Sequence, residues 1–279
     1  MIDLMRAQDY YGYDAPTSAV LQPVAPQEFQ APKSLVSVVS ASGATGCSTI
    51  ALLLSWLAAQ EGIPTRLIEA DLQFGDYTTW LGLSTKEPSL ADGVDAYPVG
   101  LETNLELYRA PDAPEYFSEG ETTIGRMLKR SATDSLLSVA DCGSYWADYT
   151  VELLYAAKLV LVVFDGRLGA VANARKAIDL CQRLGIPSTK IIAVYNRFNP
   201  RANMTVRGAE ETLGVHGVVS IPDGKAAVEA LVSTGALDEL VATNNGAVKA
   251  IRKLLAEIEA RLGLDQAEQP EYKRARRRK

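Results

Sequence analysis

Ser34-Leu-Val-Ser-Val-Val-Ser-Ala-Ser-Gly-Ala-Thr-Gly-Cys-Ser-Thr49 is the stretch from which the rest of the chain is read. An apolar run, Leu35 to Val39, opens into a small-residue loop, Ala41 to Gly46. A helical pattern follows from near Cys47, with Ile50, Leu53, Leu54 and Leu57 on one face. Strand, glycine loop and helix in that order place successive backbone N–H groups around a concavity at a helix N-terminus, which suits a phosphate. A phosphate loop normally carries a lysine just before its Ser or Thr, and Cys47 stands in that place.

Outward from this stretch the same alternation continues. Apolar runs fall at 35–39, 65–70, 105–108, 136–140, 159–164, 191–195 and 215–221. Helical patterns fall at 48–60, 147–157, 170–184, 203–213 and 225–232. Continuous Val/Leu/Ile runs separated by helices predict an α/β fold, a doubly wound, mostly parallel sheet with helices on both faces. Ligands of such sheets sit beyond the carboxyl ends of the strands. The chain places polar groups there: Glu69-Ala-Asp71, Asp141-Cys-Gly143, Asp165-Gly-Arg167, Asn196-Arg197 and Pro222-Asp223-Gly-Lys225. Carboxylates facing a phosphate loop suit Mg²⁺ or the orientation of an attacking water.

Composition narrows the classes. With 279 residues, 47% of them hydrophobic, the chain can bury one large core. Its longest apolar runs are strand-sized, far short of the roughly 20 residues that span a bilayer. The start has no basic region followed by an apolar core, so a cytoplasmic protein is expected. Three cysteines without metal-ligand spacing and a single histidine, His216, argue against zinc. The net charge of −6 is uneven: Lys273, Arg274, Arg276, Arg277, Arg278 and Lys279 carry +6, leaving −12 on residues 1–272. The expected organisation is a Pro- and Tyr-containing leader over 1–33, a nucleotide-binding domain over 34–263 and a basic tail over 264–279.

These residues resemble the ParA/MinD group of deviant phosphate-loop ATPases over about Leu35 to Leu262. Ser42-Gly-Ala-Thr-Gly-Cys-Ser-Thr49 is similar to the group's Lys-Gly-Gly-x-Gly-Lys-Ser/Thr-Thr loop, and Glu69-Ala-Asp71 to its Asp-x-Asp. Asp71-Leu-Gln-Phe-Gly-Asp76 resembles the TadZ/CpaE branch, localisation factors of tight-adherence (Flp, type IVc) pilus systems. Many members of that branch carry a receiver-like N-terminal domain, which 33 residues are too few to form.

The resemblance implies ATP or ADP with Mg²⁺ as ligand, held by Gly43, Ala44, Thr45, Gly46, Cys47, Ser48 and Thr49. Asn196, Arg197, Pro222 and Asp223 would lie on the adenine side. Ser48, Asp71 and Asp141 would serve Mg²⁺, with Asp71 the candidate catalytic residue. It further implies a homodimer whose partners are pilus assembly proteins, including the secretion ATPase. Peripheral membrane contact would run through the C-terminal helix and basic tail, with DNA a weaker candidate.

Both family lysines are replaced, by Ser42 and Cys47. A charge about 4 Å from a phosphate is worth roughly 4 kcal/mol at an effective dielectric near 20. The expectation is therefore a scaffold with weak, structural or lost nucleotide binding; the alternative is an active Mg²⁺-dependent ATPase positioning cargo on membrane or DNA. Arg167, Arg197 and Lys225 are the candidate replacement cations. For Cys47 two readings stand: a thiol whose pKa the helix terminus lowers, even a disulfide with Cys142, or a small neutral residue that fits the loop.

Overall fold

The computed structural model describes residues 32–83, 96–99, 104–110 and 120–264. Almost all of the leader and of the basic tail, together with the predictions made for them, lies outside these residues.

Eight strands form one sheet: β1 (Leu35–Ser40), β2 (Thr65–Glu69), β3 (Ala96–Pro98), β4 (Leu105–Tyr108), β5 (Leu137–Asp141), β6 (Leu159–Phe164), β7 (Ile191–Phe198) and β8 (Val219–Pro222). Their order is β3-β4-β2-β5-β1-β6-β7-β8, and every pairing is parallel except β3 with β4. The doubly wound architecture expected from the alternation is the one found. β1, β2, β5 and β6 are buried along their whole length; β6 is an unbroken apolar run, while the others carry buried polar groups such as Ser37, Arg66 and Ser138. Each outermost strand ends in a proline, Pro98 on β3 and Pro222 on β8.

The helices are α1 (Cys47–Gln60), α2 (Tyr77–Trp80), α3 (Gly120–Asp134), α4 (Asp148–Ala156), α5 (Leu168–Arg183), α6 (Val206–Leu213), α7 (Lys225–Ser233), α8 (Leu237–Ala242) and α9 (Gly246–Leu262). One core layer packs α1, α8 and α9 against Val36, Val38, Leu161 and Val163; the other packs α3 to α6 against Leu35, Val39, Val160 and Val162. α1 is apolar nearly all round because it lies between the sheet and α9, with residues 50–59 buried. The apolar stripe of α9, Val248, Ile251, Leu254, Leu255 and Ile258, is spent on that contact. It offers no free apolar face to a membrane. Among the described residues no helix is long and apolar enough to cross one.

The connection leaving β1 runs to β2 on one side, and the one leaving β6 runs to β7 on the other. The glycine loop after β1 thus opens where the direction of winding reverses, the usual crevice of such sheets.

Candidate nucleotide site

The loop from Ser40 to Gly46 is shaped by its own hydroxyls and by the strands beside it. Ser40 Oγ donates to the Ser42 carbonyl at 2.8 Å and accepts from Thr45 Oγ1 at 2.9 Å. Trp146 Nε1 donates to the Ser40 carbonyl at 2.8 Å, and Asn173 Nδ2 to Ser42 Oγ at 3.1 Å. Gly46 caps α1 at φ 86°, a left-handed conformation that a side chain would strain. A Cβ at Gly46 would also stand 2.3 Å from Asn196 Nδ2.

Three side chains from the ends of β6 and β7 hold three consecutive loop carbonyls. Arg167 Nη2 donates to Gly43 O at 2.8 Å, Arg197 Nη1 donates to Ala44 O, and Asn196 Nδ2 donates to Thr45 O at 2.8 Å. Arg167 is steadied by Asp165, 2.8 Å away, and Arg197 adopts φ 52° at a register shift between Tyr195 and Phe198. That irregularity breaks the strand's alternation, so neighbouring residues 196 and 197 both reach the loop. With the carbonyls held from this side, the peptide N–H groups of the loop are left for the cleft. Asn196 and Arg197, expected on the adenine side, here hold the loop itself.

The cleft has a volume of about 820 Å³. It is lined by residues 42–49 together with Asp71, Asn196, Arg197, Asp223 and Lys225, and by apolar groups from α1, α2, α7 and α9, among them Leu53, Trp80, Val228 and Ile251. Pro222 is not among its lining residues, although its neighbours Ile221 and Asp223 are.

Asp141 does not line the cleft either. It is 2% exposed and bonded on both oxygens: Oδ1 accepts from Gly143 N at 3.1 Å and from Cys47 Sγ at 3.4 Å, while Oδ2 lies 2.8 Å from the Tyr77 hydroxyl. Ser48 hydrogen-bonds the same carboxyl. The Tyr77 hydroxyl is also 2.9 Å from the Ser48 carbonyl. The Tyr77 hydroxyl thus stands within donor reach of both the Asp141 carboxyl and the Ser48 carbonyl. Burial pushes Asp141 above the ordinary carboxylate range, against the hydrogen bonds from Ser48, Tyr77, Gly143 and Cys47.

Cys47 lines the cleft floor, but its thiol points at Asp141 within this buried cluster. Burial first, then the Asp141 charge, holds its thiol well above its usual pKa. This corrects the expectation of a thiol made acidic by the helix N-terminus. Cys47 and Cys142 are both free.

Glu69 ends β2 beside the same cluster, accepting Tyr77 N at 3.0 Å and Ala110 N at 2.9 Å. Burial pushes it up to about 7, opposed by those two N–H bonds. It is walled in by the backbone, since a Cβ at Gly75 would stand 2.4 Å from its carboxyl carbon. Asp71, by contrast, lines the cleft, with Oδ1 accepting Phe74 N at 3.3 Å. Sequence reasoning missed Tyr77, Ser40, Trp146 and Asn173. An aromatic one residue after Asp76, within a strand-end acidic segment, was the one signal available for Tyr77.

No protein-family model matches the chain. An uncharacterised ATP-binding protein of Methanocaldococcus jannaschii is 24% identical over 197 residues, spanning 67% of this chain and 74% of that one. Among solved structures, a ParA family ATPase from Chlorobium tepidum superposes with a TM-score of 0.69 at 21% identity, covering 80% of this chain and 99% of that one. The cell division ATPase MinD of Pyrococcus furiosus gives 0.68 at 18% identity, covering 82% and 99%. MinD of Pyrococcus horikoshii, solved with Mg-ADP, gives 0.67 at 16% identity, covering 81% and 96%. The chain has the ParA/MinD fold.

Proposed function

We propose that this protein is a TadZ/CpaE-like localisation and assembly factor for a tight-adherence (Flp, type IVc) pilus machine, acting as a dimeric scaffold whose nucleotide is a structural or switching ligand. The observation that carries the reading is the state of the loop. Its cradle is held in shape by Arg167, Asn196 and Arg197, while the residue in the lysine position, Cys47, is buried against Asp141. A preorganised donor cradle binds phosphate; without a cation on the transferring group it does little for the transition state.

Three apolar side chains support the dimer. Phe74, Tyr145 and Leu168 are 72%, 54% and 79% exposed and follow β2, β5 and β6 at the loop end of the sheet. β5 and β6 flank β1 and β2 lies next to β5, so the three side chains stand at the end of the sheet where the glycine loop opens, and a second copy docking there would cover them. The pilus assignment rests on the Asp71-Leu-Gln-Phe-Gly-Asp76 segment, whose Phe74 is one of the three.

The test is ATP turnover by the purified protein beside co-purification with the secretion ATPase of the same pilus system. The expected result is turnover at background and stable co-purification that Phe74→Ser weakens. Mg²⁺-dependent turnover abolished by Asp71→Ala would instead establish the active-ATPase reading.

A further inference from the structure

We propose that Lys225 meets the phosphates of the bound nucleotide, standing in from the α7 wall of the cleft for the lysine that the glycine loop lacks. The proposal rests on the nucleotide reading above and names a cation of that same site. Arg167, Arg197 and Lys225 differ in what they already hold. Arg167 is committed to Asp165 and to the Gly43 carbonyl, and Arg197 to the Ala44 carbonyl. Lys225 lines the cleft, is exposed, and its ammonium makes no ion pair or hydrogen bond with a described residue.

The backbone brings Lys225 to the loop. Asp223 N donates to Phe198 O at 3.2 Å, so the chain leaving β8 runs beside the end of β7, whose Arg197 reaches Ala44. Lys225 comes two residues later, opening α7, and its N–H donates to Asp223 Oδ1 at 3.0 Å. Asn245 Nδ2 donates to the Gly224 carbonyl at 3.2 Å and steadies the turn. From that fixed backbone the lysine's flexible four-carbon stem can carry its charge across the cleft.

The conformation of Lys225 is a second, independent sign. Its φ is 56°, in the left-handed region, where a lysine is strained and a glycine is not. Among the described residues the non-glycine residues with positive φ are Ala44, Arg197 and Lys225, and all three line this cleft. Strain of this kind collects where a site requires it. For Ala44 and Arg197 the requirement is visible, since Arg197 holds the Ala44 carbonyl. Lys225 has no such contact, and a phosphate in the loop is the anion its ammonium is free to meet. Glu229, one turn along α7 in the same lining, forms no ion pair with it, and a phosphate offers more charge and more acceptor oxygens than a carboxylate.

The experiment is calorimetric titration of the full chain with ADP at about 50 mM and about 500 mM KCl, for the natural sequence, Lys225→Asn and Lys225→Arg. Asparagine tolerates the left-handed backbone and removes the charge. The expected result is that Lys225→Asn loses more than about fivefold in affinity at the lower salt, that the loss shrinks at the higher salt, and that Lys225→Arg recovers most of it. A loss of less than about fivefold at the lower salt overturns the proposal and leaves the nucleotide reading standing. A loss that salt leaves unchanged, or that arginine does not recover, overturns it as well, because a charge contact is screened and either cation can supply it. No binding of ADP by the natural chain at either salt, with no change in Tm on adding ADP, overturns the nucleotide reading and the proposal with it.

Discussion

The Tyr77 hydroxyl lies 2.8 Å from Asp141 Oδ2, tying the start of α2 to the end of β5 beneath the phosphate loop. Both side chains are 2% exposed, so no water is at hand to replace the contact. Tyr77→Phe should lower stability by about 1–2 kcal/mol, the cost of a buried partner left unmade, while Tyr77→Ala should cost about 3–5 kcal/mol by adding a cavity. Urea denaturation of both variants measures the difference. Equal losses would mean that the ring's packing contributes nothing beyond the hydroxyl.

A second prediction concerns the loop's outer support. Asn196 Nδ2 is the donor to Thr45 O at 2.8 Å and presses against Gly46. Asn196→Ala should cost about 1–2 kcal/mol of stability and about tenfold or more in ADP affinity, because the loop loses one of its three carbonyl anchors. Calorimetry beside thermal melting checks it. Unchanged affinity would show that the cradle keeps its shape unaided.

Replacing the missing charge supplies a third. A lysine at position 47 is too long for the buried space beside Asp141, so its ammonium should turn to the cleft. Cys47→Lys is expected to tighten ATP binding by at least about tenfold, within the roughly 4 kcal/mol that a charge 4 Å from a phosphate can contribute. Titration with ATP reads this directly, and affinity equal to that of the natural chain would contradict it.

Glu69 gives the protein a pH dependence of definite sign. Its folded pKa of about 7 stands above the ordinary 4.5, chiefly through burial. The folded state therefore holds the proton more tightly than the unfolded one. This contribution is complete below about pH 4.5 and lost as pH rises through about 7, amounting to about 3 kcal/mol at most. Denaturation at about pH 5 and about pH 8 should show that fall, and Glu69→Gln should reduce it. A slope that Glu69→Gln leaves untouched would place the titrating group elsewhere.

Much of the architecture could be read from the amino acids, and the reasons are local. The run at 159–164 coincides with β6 because a strand buried on both faces must be apolar throughout, and β4 matches its run at 105–108 through Leu105, Leu107 and Tyr108 although Glu106 between them is partly exposed. β3 was missed because three residues ending in Pro98 show no period. The run 215–221 shrinks to Val219–Pro222 because Gly217, at φ 75°, turns the chain first. α3 was passed over for its Thr, Lys and Arg content, although Ile124, Met127 and Leu128 already traced its buried stripe.

The site was legible as an inventory and not as a wiring. Cleft residues 43–49, 71, 196 and 197 were identifiable from strand ends, since topology alone brings those ends together. That Asp141 faces inward depends on Tyr77, a contact 64 positions away in the chain. That Arg197 reaches Ala44 depends on a positive φ in the strand, which arginine's own preferences do not announce.

The prolines at the two rims of the sheet bear on what happens when many copies crowd together. Pro98 and Pro222 each delete a backbone donor from an outermost strand. A foreign strand adding to either rim would find a gap in the ladder of bonds it needs. The sheet is thus guarded against growing from one molecule into the next. Such a guard matters most wherever many copies of one chain meet at high local concentration, since fibril growth would there compete with the folded state.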